Sequence, residues 1–384
     1  MKFNKWTLGL AAVGVVSLAS AVKAEETAST IMTALSSTTI SGYVDTSAQW
    51  NIGKDTANFP PYSFGGAGKA DGFNLNVVKL TIEKPLDESE WAAGYRVDLL
   101  FGPDAVAYNT TAGAATSDFG IKQAYVALRA PVGNGIDFKV GVIDTILGYE
   151  VFDSGSNPNF TRSYGYTIEP TEHTGILASY KVNDMISFSA GIANTHTAGV
   201  NARDINQTKK TYMGSIALTA PADWGFIGGS SLYFGAVTGF GGGGVNTDDT
   251  QNYYAGAVLK TPVEGLSVGL AWDHVSNSQF TGGASGESAS VYAVYASYRA
   301  TEKLSLHARA EYCDEVILDN HGNYELTGTI QYDLWKNVIS RLEARWDHAN
   351  TTGSTGQAFG NQGALGAPRS DNAYVLLANI IYKF

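Results

Sequence analysis

The residue types that most often carry catalysis are present in this 384-residue chain but fall into no catalytic spacing. Six histidines, His173, His196, His274, His307, His321 and His348, are scattered, with no HExxH pair to seat a metal on one helix face. No GxSxG elbow occurs. Gly68-Lys69 lacks the phosphate-loop spacing and its Ser or Thr, and Gly241 to Gly244 is a loop tip. Cys313 is alone, so no internal disulfide can form, and it is expected to be an incidental small residue. The sequence therefore predicts no enzyme, no cofactor and no metal. A Ser–His pair inside a barrel, as in outer-membrane lipases, is the alternative that spacing alone leaves open.

The remaining chemistry is electrostatic. Asp144, Glu150, Asp153, Arg162 and Glu169 share one long aromatic-rich segment, 144–171. Arg96, Arg309, Arg341 and Arg345 sit in segments of alternating polarity, always on the polar parity, among Asp98, Glu311, Glu343 and Asp347. Acid on a loop opposed to base on a wall would set a transverse field that orients dipolar solutes. Two blander readings stand beside this one. The loop charges could be solvated outside, and the wall charges could pair across strands and do no more than stabilise them.

The N-terminus positions nothing. Lys2 and Lys5, an apolar run from Leu8 to Ala19, and Val22-Lys23-Ala24 before Glu25-Glu26 read as a cleaved secretory signal peptide, residues 1–24. Ala19-Ser20-Ala21 is a second acceptable site, and an uncleaved helix is the alternative. A short segment, 25–37, precedes the main domain, 38–384. No later stretch is apolar enough to span a membrane as a helix. The composition is rich in Gly (44), Tyr (21) and Phe (16) and poor in Pro (10), which favours one large all-β domain. A net charge of −11 argues against nucleic acid as a partner.

The elements that must hold those charges are strands. Val338 to His348 alternates Val338, Ser340, Leu342, Ala344 and Trp346 against Ile339, Arg341, Glu343, Arg345 and Asp347. Tyr324 to Leu334 and Trp91 to Phe101 repeat the pattern, and their apolar faces start or end on aromatic rings, the mark of a lipid–water boundary. Strands are expected near 38–50, 73–84, 91–101, 119–130, 136–143, 172–182, 185–195, 210–220, 229–240, 250–261, 265–276, 288–300, 303–313, 322–334, 338–349 and 372–384. Short turns such as Asn183-Asp184 and Lys336-Asn337 alternate with long loops rich in Gly, Ser and Asn. The expected fold is an all-β, transmembrane, antiparallel up-and-down barrel of about sixteen strands, with short periplasmic turns and long extracellular loops. A barrel of that size leaves an aqueous channel.

Ile40-Ser41-Gly42-Tyr43-Val44-Asp45-Thr46, Tyr95-Arg96-Val97-Asp98-Leu99 with Phe101-Gly102, and Gln123-Ala124-Tyr125-Val126 carry a resemblance. Gly141-Val142 leading into Leu147-Gly148-Tyr149-Glu150, and Asn157 to Arg162 followed by Pro170 to Gly175, add to it. On these the chain resembles the OmpL-like β-barrel porin family. Tyr382 and Phe384 resemble the terminal strand by which outer-membrane barrels are recognised for assembly. The resemblance implies an outer-membrane barrel of a Gram-negative cell, with outer-membrane lipid and the barrel-assembly machinery as partners, and leaves the transported solute open. The leading expectation for the channel is passive diffusion of small hydrophilic solutes. General porins, similar in architecture, fold their third loop into the lumen, which makes 144–171 the candidate constriction, and many of them form homotrimers. A sugar-specific porin with a loop-three aromatic slide and a non-conducting adhesive barrel remain alternatives.

Overall fold

In the computed structural model, the described residues are 37–52, 60–108, 118–196, 200–203, 208–240, 249–278, 287–314, 322–350 and 370–384. The expected signal peptide, nearly all of segment 25–37, and His321 lie outside them.

Sixteen strands form one closed antiparallel sheet in which each strand pairs with its neighbours in sequence and the last returns to the first. They are β1 (Thr39–Ile52), β2 (Gly72–Lys84), β3 (Ala92–Phe101), β4 (Phe119–Ala130), β5 (Ile136–Asp144), β6 (Glu172–Lys181), β7 (Ile186–Ala193) and β8 (Thr211–Thr219). The second half is β9 (Ser231–Phe240), β10 (Asp249–Lys260), β11 (Leu266–Ser278), β12 (Glu287–Arg299), β13 (Leu304–Asp314), β14 (Asn323–Trp335), β15 (Val338–Ala349) and β16 (Asn372–Lys383). Closure is made by β1 on β16, with Val44 opposite Tyr382 and Trp50 opposite Leu376. A closed sheet leaves no unpaired backbone edge, which is what permits strands to cross hydrocarbon. The fold and its strand number are those the alternation predicts.

The alternation sorts the faces. On β14, Glu325, Thr327 and Thr329 are buried inside while Leu326 and Ile330 are half exposed outside. On β15, Arg341, Glu343, Arg345 and Asp347 turn in and Leu342 turns out. Outward aromatics gather at both rims. Tyr312 meets Tyr324 across β13–β14 with ring centroids 5.0 Å apart at the long-loop end, and Trp91, Tyr332 and Trp335 mark the other. The short turn between β14 and β15 places Asn337 at a φ of 65°, a left-handed conformation that Asn tolerates.

Two irregularities bear on the site. The β3–β4 register shifts between Asp98 and Leu99, which pair with Gln123 and Ile121, so Lys122 is an extra residue in a bulge. Lys122 and Gln123 are consecutive yet both buried. Second, the inner face is not polar throughout. Leu177, Ala193, Met213, Val237, Ala271, Ala293 and Tyr295 form an apolar inner wall from β6 to β12, packed with Ile143 of β5. Strands such as β12, apolar on both parities, show no clean alternation for this reason. The charged inner wall is concentrated on β13–β16 and β1–β5, with Glu172 of β6 and Asp273 of β11 as isolated buried acids outside it.

Candidate pore constriction

The long connection 145–171 between β5 and β6 lies inside the barrel, held against both kinds of wall. At its start, Ile146 and Leu147 pack into the apolar wall, and Tyr149 stacks on Tyr295 of β12 with centroids 4.0 Å apart. Beyond them the loop crosses to the charged wall. Asp153 accepts from Lys79 of β2 at 2.8 Å and from the Tyr43 hydroxyl of β1 at 3.1 Å. Arg341 of β15 donates to the carbonyls of Ser154 and Asn157 at 2.8 and 3.0 Å. Glu343 accepts the backbone N–H groups of Phe160 and Thr161 at 2.6 and 2.8 Å. The loop then makes a short helix, α1 (Tyr164–Ile168), capped by the Ser163 side chain accepting from the Tyr166 N–H. Tyr164 N–H donates to Glu311 of β13, and its hydroxyl to Asp347 of β15 at 2.7 Å.

The charges predicted from sequence are therefore brought together, but most of them face each other. Arg309 of β13 donates to Glu150 at 2.7 Å, to the Thr161 carbonyl at 2.7 Å and to Glu325 at 3.1 Å. Arg345 pairs with Asp347 at 2.7 Å and donates to the Arg162 carbonyl at 2.6 Å. Arg309, Arg341 and Arg345 are buried beneath the loop and dock it; they do not line open space. Arg162 donates to the Phe160 and Phe152 carbonyls, with Phe64 and Tyr166 rings on its guanidinium. Arg96 is held by Asp98 and Glu83 at 3.0 and 3.1 Å, and Asp144 by Lys122. Burial, and the Asp273 carboxyl of β11 to which Glu169 is hydrogen-bonded, push the Glu169 carboxyl well above the usual carboxylate range.

A cavity of about 370 Å³ remains between the loop and the walls of β2–β4 and β8–β10. Lys79, Arg96 and Lys122 line one side, Ser215, Tyr233 and Tyr254 another, and Asp144, Tyr149, Asp153 and Pro158 the loop side. Lys79 and Lys122 were not among the residues singled out from sequence. Lys122 hides in the bulge, where parity fails, and Lys79 follows a second register shift at Asp45/Thr46. The first long loop also enters: Tyr62 stacks on Arg345, and Phe64 lies edge-on to Phe152 at 5.3 Å. Its composition carried no signal of this.

A closed sixteen-strand barrel with an inward-folded third loop and a charged passage is the architecture of a bacterial outer-membrane porin. The family model described as "Putative beta-barrel porin-2, OmpL-like" matches residues 37–384, and the chain belongs to that family. No curated protein matches it. Among solved structures it is similar in fold to an anion-selective porin from Comamonas acidovorans, with 14% identity, a TM-score of 0.57, and 91% of this chain and 99% of that one covered. It is also similar to OmpF of Salmonella typhi in complex with daunomycin, with 10% identity, a TM-score of 0.59, and 90% and 97% covered. The trimer form of OmpT of Vibrio cholerae shares 12% identity over 90% and 99% of the two chains, with a TM-score of 0.55. The protein is thus a channel-forming porin of the outer membrane.

Proposed function

We propose that small hydrophilic solutes diffuse passively past the loop 145–171, through the space it leaves beside β2–β4 and β8–β10. The observation that supports this most directly is the anchoring of the loop at mid-lumen by Arg309, Arg341 and Glu343, which narrows the bore without filling it. The field in the passage comes from Lys79, Arg96 and Lys122 against Asp144 and Asp153. Arg309, Arg341 and Arg345 act on the solute only by holding the loop, as Arg162 does from its side, whereas Glu150 and Glu169 hold the loop and also line the cavity. Of the loop aromatics, Phe160 and Tyr164 are buried in packing away from the cavity and cannot serve as a sugar slide.

This reading includes export through a cleaved signal peptide in a Gram-negative cell, insertion by the barrel-assembly machinery with Tyr382 and Phe384 as its recognition end, and contact with outer-membrane lipid. It also includes a homotrimer, as in the trimer form of the Vibrio OmpT, and no catalytic activity. The test is reconstitution of refolded protein in planar bilayers. Stepwise ion current is expected; a correctly folded barrel that passes no current overturns the proposal.

A further inference from the structure

We infer that Lys139 on β5 is an anion-binding station on the lumen wall next to the passage, which favours small carboxylates over cations and neutral solutes; this rests on the diffusion reading above. Along β5, Asp137, Lys139 and Gly141 share the inward parity, while the exposed Val140 faces lipid. The Lys139 ammonium rests over the Tyr125 ring of β4, 4.8 Å from its centroid. Among the described residues it makes no hydrogen bond and has no carboxylate within 4.0 Å.

That sets it apart from the other inward cations. Lys79 has Asp153 and Asp98, Arg96 has Asp98 and Glu83, and Lys122 has Asp144. Arg341 has no acid partner either, but backbone carbonyls occupy it beneath the loop. A ring face holds an ammonium without cancelling its charge. The ring therefore positions Lys139 while its charge stays available to a solute.

Lys139 is not closed off from the lumen: its side chain is only partly buried, and Ala127 and Leu177, which stand directly opposite it on the two neighbouring strands, carry no charge to compete for an anion. Tyr125 is the cross-strand partner of Arg96, which lines the cavity. Lys139, Tyr125 and Arg96 thus form a continuous line from the cavity toward the short-turn end. Cations will be repelled from Lys139 at the end of this line, and a neutral solute gains nothing from it.

The experiment is the reversal potential of the reconstituted full-length channel under a potassium chloride gradient, with and without added acetate. Lys139→Gln is expected to lower the anion-to-cation permeability ratio by about fivefold and to abolish slowing of chloride current by acetate. Lys139→Arg, which keeps the charge, is expected to retain both. A Lys139→Gln channel that conducts with the wild-type ratio and the wild-type acetate response overturns the assignment. A folded wild-type barrel that carries no current overturns the diffusion reading, and this inference with it.

Discussion

Glu150 and Arg309 meet at 2.7 Å inside the barrel, with neither side chain exposed, and join the middle of the third loop to β13. Arg309 also faces Glu311 and Glu325, so one guanidinium is in contact with three carboxylates. Removing one partner of a buried pair costs about 3–5 kcal/mol, because the other charge is left uncompensated. Arg309→Met is therefore expected to undock the loop. Protease cleavage within 145–171 should appear and single-channel conductance should rise. Glu150→Gln leaves Arg309 with its wall partners and should do much less. Equal effects from the two variants would show that Arg309 is not the hub.

Glu169 supplies a pH dependence. Two carboxyl groups in hydrogen-bond contact need a proton between them, and no arginine reaches Glu169 among the described residues; Asp273, Glu150 and Glu311 face it. Its docked pKa is raised above that of the free loop. The stabilisation it gives to docking is thus fully present at low pH and is lost as pH rises through the raised value. Loop docking, followed by conductance or protease resistance, should weaken on the alkaline side of the usual carboxylate range. Glu169→Gln should flatten that dependence. A wild-type loop docked equally at acid and at alkaline pH would remove Glu169 from the latch.

Most of the barrel was legible in the sequence because lipid and lumen impose a period of two on the strands of the charged wall. Arg341, Glu343 and Arg345 declare their face by alternating with Leu342 and Ala344, and the register of β15 follows that pattern. Where a bulge inserts a residue, the period slips; Lys122 was lost that way. The apolar inner wall was lost for a different reason. Met213 and Val237 look like lipid-facing residues until the loop residues Ile146 and Leu147 are seen to cover them. The site was legible as a set of charges, but not as pairs. Which acid meets which arginine depends on how the loop crosses the lumen, and no local spacing encodes that.

The lipid-facing assignment can be tested at Leu342, which lies between two inward charges and is largely exposed on the outer face. An arginine on that face costs about 2–4 kcal/mol at mid-membrane and much less near the rims. Leu342→Arg should lower unfolding stability in phospholipid vesicles by an amount in this range. In denaturant titration the midpoint moves and the loop contacts stay intact. An unchanged midpoint would mean that this parity does not meet hydrocarbon.

Phe384 closes the ring of strands. Its N–H donates to the Gly42 carbonyl at 3.0 Å, and its own carbonyl accepts the Gly42 N–H at 2.9 Å, a reciprocal pair that ends the β1–β16 seam. The ring lies against Gly42, where a Cβ would come within 2.1 Å of the Lys79 backbone carbonyl of β2 and 2.8 Å of the ring, so only glycine fits there. Gly42→Val should therefore displace the ring and loosen the last rung of the seam. Phe384→Ala keeps the backbone pair and removes only the ring. If the ring is read during assembly, Phe384→Ala should lower the yield of folded protein in the outer membrane. Refolding in detergent, which involves no assembly machinery, should be nearly unaffected. If the ring matters only to the seam, both routes should suffer equally, and the recognition role for the C-terminal residue would be excluded.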